Sequence, residues 1–250
     1  ILTDLNGVTS GNNTFVAVGD NGIVLRSTDN ASSFSSVSPY YTGTSRGVTF
    51  GNNTFLGVSD GGKTGRSIDN ASSWNNSTSG ISTTLYGVTF GNNTFVAVGH
   101  SGKILRSTDN ASSWNNSTSP ITSRLYGVTF GNNTFVAVGQ SGKILRSTDN
   151  ASSWDNSTSG ISTNLYGVTF GNNTFVVVGP SGKILRSTDN ASSWDNSTSG
   201  ISTTLKGVTF GNNTFVAVGD NGIVLRSTDN ASSWNNSTSP ITTDLNGVTF

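Results

Sequence analysis

LYGVTFGNNTFVAVGHSGKILRSTDNASSWNNSTS, Leu85–Ser119, is the stretch from which the fold of this chain is read. Its apolar runs are short, rich in Val, Ile, Phe and Thr, and bounded by Gly, Asn and Ser clusters. That pattern is strand and turn, with no room for a helix. Asn and Gly tolerate positive φ, so GNN between Phe90 and Thr94 closes one tight hairpin and HSG closes the next. TFVAVG is apolar at consecutive positions, so both faces of that strand are expected to be buried.

Adding 40 to almost any position returns the same residue. Repeats run 1–40, 41–80, 81–120, 121–160, 161–200 and 201–240, and a partial copy, ITTDLNGVTF, fills 241–250. Repeats 121–160 and 161–200 differ at only five positions, so a reading of one is a reading of all. Four short strands in about 40 residues is the spacing of a β-propeller blade, in which each sheet is sandwiched between its neighbours. The expected fold is all-β: one domain over 1–250, a six-bladed β-propeller of four-stranded antiparallel blades. The rival is a β-solenoid, whose coils are shorter and carry fewer hairpins. A lone blade is expected not to fold, because its apolar faces are buried only by stacking.

Charged residues make up 10% of the chain and cancel at 13 Lys plus Arg against 13 acids, which argues against nucleic-acid binding. No apolar run approaches the roughly 18 to 20 residues that cross a bilayer, so no membrane insertion is expected. The start, ILTDLNGVTS, has neither a basic nor an apolar signal region, and with the absence of Met it reads as a processed or excised segment. There is no Cys, hence neither a disulfide framework nor thiolate chemistry.

RSTDNASSW, Arg106–Trp114, returns unchanged at 146, 186 and 226, and with one substitution each at 26 and 66. It resembles the Asp-box, or BNR repeat, whose pattern is Ser-x-Asp-x-Gly-x-Thr-Trp; here Ala111 stands for the Gly. The surrounding repeat is similar to blades of the photosystem II assembly and stability factor type. The resemblance implies a turn between the third and fourth strands, held by Asp29, Asp69, Asp109, Asp149, Asp189 and Asp229. Trp74, Trp114, Trp154, Trp194 and Trp234 are the aromatic anchors it implies. The residues agree, since Asp and Ser readily bond nearby backbone N–H groups and Trp after a turn packs inward. With Ala in place of Gly, the preceding Asn is expected to supply any left-handed residue. One carboxylate per copy falls short of a calcium loop, so no metal is expected. Sialidases also carry Asp-boxes, but the chain has no Glu and their catalytic set cannot be carried over. Arg106 and its equivalents read as structural ion pairs or stacked side chains. No catalytic residue, enzyme activity or cofactor is expected, and the solitary His100 reads as a turn residue.

The copies disagree in two places. Position four of the repeat holds Asp4, Thr44, Thr84, Arg124, Asn164 and Thr204; position six holds Asn6, Arg46, Tyr86, Tyr126, Tyr166 and Lys206. Position twenty holds Asp20, Asp60, His100, Gln140, Pro180 and Asp220. In an up-and-down blade the link between blades shares an end with the second hairpin, so these positions are expected on one face. Tyr86, Tyr126 and Tyr166 with Arg124, His100 and Gln140 suit a glycan or protein ligand there; the alternative is drift in unrestrained loops. The expected function is a non-enzymatic, monomeric binding propeller acting outside the cytoplasm or in the periplasm. Alternatives are a scaffold or assembly factor and a recently amplified or engineered repeat without a ligand. The Asn-x-Ser/Thr sequons, as at Asn12, Asn30 and Asn76, are expected to arise by chance from composition.

Residues 241–250 duplicate 1–10 closely, with Phe250 where the first copy has Ser10. The C-terminal strand is therefore expected to join strands from 11–40 as a velcro closure, with 1–10 displaced or duplicating an edge. The second repeat, with Ser45, Gly57 and Gly65 where others have Leu, Ala and Leu, is expected to be worn and soft over 41–70.

Overall fold

The computed structural model describes residues 3–237 and 239–250; the beginning of the first repeat, Ile1 and Leu2, and Thr238 lie outside the described residues. Six four-stranded antiparallel sheets follow one another along the chain, and in each the strands pair in sequence order. They are the blades of a six-bladed β-propeller. The chain divides into two compact units, Ile1–Thr122 and Ser123–Phe250, each carrying three blades.

Blade three shows how the repeat becomes a sheet. Its strands are Leu85–Gly91, Thr94–Gly99, Ile104–Ser107 and Asn115–Asn116. The first hairpin turns on Asn92 and Asn93, at φ 46° and 54°, the left-handed pair that a two-residue loop needs. The second passes through a single 3₁₀ turn, His100–Gly102, with Ser101 at φ 57°. Thr94–Gly99 is buried along its whole length, as its unbroken apolar run requires. The outermost strand is short, polar and exposed, which blunts the edge against further pairing.

Packing within each unit is between blades. One cluster joins Val136, Val138 and Ile144 of blade four to Leu165, Phe175, Val177 and Leu185 of blade five. The close approach is set by glycine: a Cβ at Gly11 would lie 2.1 Å from the ring of Phe50, and one at Gly171 would lie 2.0 Å from that of Phe210. Those rings rest in turn on Phe55 and Phe215 of their own blades, with centroids 4.6 Å apart.

Two expectations are corrected. Residues Leu5–Gly11 themselves form the first strand of blade one, in register with Thr14–Gly19 through Gly7↔Val18 and Gly11↔Thr14. The C-terminal decapeptide does not take that place. A two-residue turn at Asn12–Asn13 joins the observed pair, so the loop entropy lost on pairing is near its minimum. Residues 241–250 instead pack on blade six: Leu245 N–H donates to the Gly219 carbonyl at 3.0 Å, and the Phe250 ring covers Gly211.

The second repeat is also not worn. Tyr40, at a position held elsewhere by Gly or Pro, is buried and turns its ring into the space that Ser45, Gly57 and Gly65 vacate. A Cβ at Gly65 would lie 2.0 Å from Tyr40 Cγ, and one at Gly57 would lie 2.3 Å from its hydroxyl oxygen. That hydroxyl lies 3.0 Å from Ser59 Oγ, which donates to Ser45 Oγ at 3.2 Å. One phenol and three trimmed side chains are a single exchange of volume.

Candidate functional site

Positions four and twenty meet through the backbone at one end of a blade. His100 N–H donates to the Thr84 carbonyl at 2.9 Å, and Gln140 N–H to the Arg124 carbonyl at 2.9 Å. Asp20, Asp60 and Asp220 repeat the bond to Asp4, Thr44 and Thr204. Pro180 has no N–H to give, and in blade five the paired strands shrink to Gly167–Gly171 and Thr174–Val178.

In blades one, two and six, position six reaches position twenty of its own blade. Asn6 Nδ2 donates to Asp20 Oδ1 at 3.0 Å, Arg46 holds Asp60 through Nε and a second nitrogen at 2.9 and 3.0 Å, and Lys206 Nζ lies 2.6 Å from Asp220. Where position six is Tyr, position twenty is His, Gln or Pro. Asp at position twenty thus meets Asn, Arg or Lys at position six, a signal already present in the aligned copies. In the first unit Tyr86 is half-buried, and the His100 ring nitrogen Nδ1 lies 2.7 Å from Ser101 Oγ. In the second unit Tyr126 and Tyr166 have ring centroids 5.5 Å apart at 58°, with Arg124 and Gln140 exposed on the same blade as Tyr126. Beside Tyr166 a cavity of about 430 Å³ is lined also by Thr204, Lys206, Asp220 and Asp244.

The RSTDNASSW turn is a hydrogen-bonded knot. Ser107 Oγ donates to Asp109 Oδ1 at 2.8 Å, while the backbone N–H and hydroxyl of Ser113 donate at 3.0 and 2.6 Å. The Ala111 N–H donates back to Ser107 Oγ at 2.9 Å. The Ser113 and Ser107 hydroxyls and the Ser113 amide hold the Asp109 carboxyl down to about 2. The same chemistry holds Asp69, Asp189 and Asp229 at about 2, led by Ser73, Ser193 and Ser233, and Asp29 at about 2, led by Ser27. At Asp149 burial opposes the shift, and Ser153 and Ser147 overcome it, again to about 2. A carboxyl lowered on folding adds stability above its unfolded value near 4 and loses it as pH falls toward 2. Six such groups predict a thermal midpoint that falls between about pH 4 and about pH 2, by an amount moderated by their exposure to solvent. Asp109→Asn removes one of the six and is expected to make the fall correspondingly shallower, and an unchanged slope counts against the knot.

Both Asn110 and Ala111 are left-handed, each at φ 61°, so the Asn is not the sole bearer of the unusual conformation. An L-residue with a Cβ is strained there by about 1–2 kcal/mol. Ala31 is exposed at φ 62°, whereas Ala111 is fully buried. Ala31→Gly is therefore expected to raise stability by about 0.5–1 kcal/mol, net of the unfolded-state entropy of Gly. Ala111→Gly loses a buried methyl worth about 0.8 kcal/mol and is expected to gain nothing. Paired urea midpoints check the contrast.

Four of the third-strand arginines bind the turn of the following blade. Nε of Arg26, Arg66, Arg146 and Arg186 donates to the carbonyl of Asn70, Asn110, Asn190 and Asn230 at 2.7–2.8 Å. The Asn side chains reach back: Asn70, Asn110, Asn190 and Asn230 donate to the hydroxyls of Thr14, Thr54, Thr134 and Thr174 at 2.7–2.8 Å. Trp194 and Trp234 add indole N–H bonds to Ser157 and Ser197 of the preceding blade at 3.0 and 3.2 Å. Sequence reading missed this because the partners lie 37 to 56 residues apart. Among the described residues no three His, Cys, Asp or Glu side chains gather as a metal site, and no helix is long and apolar enough to cross a membrane.

Solved structures share the fold. A structure of YCF48 bound to D1 peptide superposes with a TM-score of 0.71 at 19% identity, covering 90% of this chain and 77% of that one. YCF48 from Cyanidioschyzon merolae gives 0.74 at 16% identity, covering 94% and 85%. The computationally designed Ika8 protein gives 0.70 at 11%, covering 93% and 73%. No protein-family model and no curated protein matches the sequence.

Proposed function

We propose that this chain is a non-enzymatic binding propeller, monomeric and acting outside the cytoplasm, that takes an extended protein segment on the face formed by interblade links and second hairpins. RSTDNASSW is read as its Asp-box variant, a structural fastener at the opposite end of each blade. The observation that carries the reading is the Tyr126–Tyr166 pair at 5.5 Å with Arg124 exposed beside it. Large aromatics and Arg are the residues that dominate protein interfaces. The similarly folded YCF48 structure with D1 peptide supports a peptide as the class of ligand.

A partner pull-down and a peptide array with the intact chain test the proposal, with a glycan array run beside them. Tyr126→Ala is expected to weaken binding at least about tenfold, as truncating an interface anchor does. Arg124→Ala is expected to weaken it less. Binding indifferent to both changes, or confined to glycans, removes the reading. A second reading, an amplified repeat with no ligand, is favoured by the five-position difference between repeats four and five; it predicts that every array stays blank.

A further inference from the structure

We propose that the cavity beside Tyr166 is a receptor for a basic side chain, an arginine or lysine presented by the bound segment. The inference rests on the protein-binding reading above and names what one subsite takes. The cavity, about 430 Å³, is of the size that holds a small organic group. Lys206 Nζ sits 2.6 Å from Asp220 Oδ1 and 2.8 Å from Asp244 Oδ2. One ammonium thus faces two carboxylates, and the lining carries one negative charge in excess. In blade two the corresponding cation, Arg46, instead closes on Asp60 as a bidentate pair.

The other wall is aromatic. Tyr166 belongs to blade five, whose position twenty is Pro180, so that blade sets no charge there against the ring. A cation that enters joins a lining that holds one aromatic ring and one negative charge more than its lysine offsets, two attractions that act in the same direction. An acidic ligand meets the opposite situation, because Lys206 is already held by Asp220, Asp244 and, at 3.2 Å, Asn246. Asp244 is fixed in place by the Asn221 N–H at 3.1 Å, so the receptor is formed before a ligand arrives.

Small probes separate this claim from the search for a partner. N-acetyl-argininamide, N-acetyl-lysinamide, N-acetyl-glutaminamide and N-acetyl-glutamate are titrated into the intact chain, followed by NMR shifts of the second unit. The two cationic probes are expected to bind roughly tenfold tighter than the glutamine compound, the advantage shrinking in high salt. Asp244→Asn is expected to erase most of that preference, Tyr166→Leu to lower it severalfold, and Asp195→Asn to leave it unchanged. A preference that depends on Asp244 sustains the receptor even where no protein partner is captured. Equal binding of the glutamine compound, tighter binding of glutamate, or a preference that survives Asp244→Asn overturns it, even where a protein partner binds at Tyr126.

Discussion

Tyr40→Ala is expected to cost about 3–5 kcal/mol, the range for deleting a buried aromatic ring. The ring is 4% exposed and packs 5.3 Å from Trp74, within a cluster of Val16, Val18, Val24, Val48 and Phe55 from blades one and two. Nothing nearby can refill the hole, since Ser45, Gly57 and Gly65 are already small. Tyr40→Phe keeps the ring but leaves Ser59 and Ser45 without the phenol, for about 1–2 kcal/mol. The decisive variant is a rescue. Tyr40→Gly combined with Ser45→Leu, Gly57→Ala and Gly65→Leu rebuilds the arrangement of Leu85, Ala97 and Leu105 in blade three, and is expected to regain most of the loss. Gly65→Leu alone, with Tyr40 in place, is expected to be as damaging as the original deletion. Urea denaturation of the four chains measures the set; a loss below about 1 kcal/mol for Tyr40→Ala would show that the phenol fills nothing.

Gly171→Ala is expected to be nearly as costly, at about 3 kcal/mol or more. The new methyl would lie 2.0 Å from Phe210 Cγ, and the ring has no retreat because Phe215 lies 4.6 Å behind it. Gly160→Ala is the matched control: it sits at φ 72° with open space around its would-be Cβ, so it carries conformational strain of about 1 kcal/mol and no collision. Phe210→Ala on top of Gly171→Ala is expected to relieve the collision while leaving a cavity, so the double change costs less than the sum. Denaturant midpoints of the four variants give the coupling directly.

Much of the architecture was readable from one repeat. The Asn–Asn hairpin, the doubly buried TFVAVG strand and the shared end of positions four and twenty follow from local chemistry and strand order. What stayed hidden involves residues one repeat or more apart. Tyr40 ends the first repeat yet fills the second, so comparing repeats as separate blocks shows three missing side chains and not the one that replaces them. The arginines looked like partners for acids because a guanidinium so often is; their acceptors are backbone carbonyls, which leave no trace in residue identity. The left-handed Ala111 was hidden by a preceding Asn better suited to that conformation. The coupling of positions six and twenty was visible, since Asp at one always met Asn, Arg or Lys at the other, but each column was read alone.

The Tyr40 exchange bears on how such a chain can be rearranged. Most repeats offer their successor the same glycine, arginine and threonine contacts, so within a unit they are interchangeable parts. The first and second are not. A tyrosine that projects forward fits only a successor already hollowed to receive it, and set before a repeat like the third it would strike Leu85 and Leu105. These two repeats therefore behave as lock and key in an otherwise permutable series, and any shuffling, duplication or excision that separates them carries a penalty the other junctions do not.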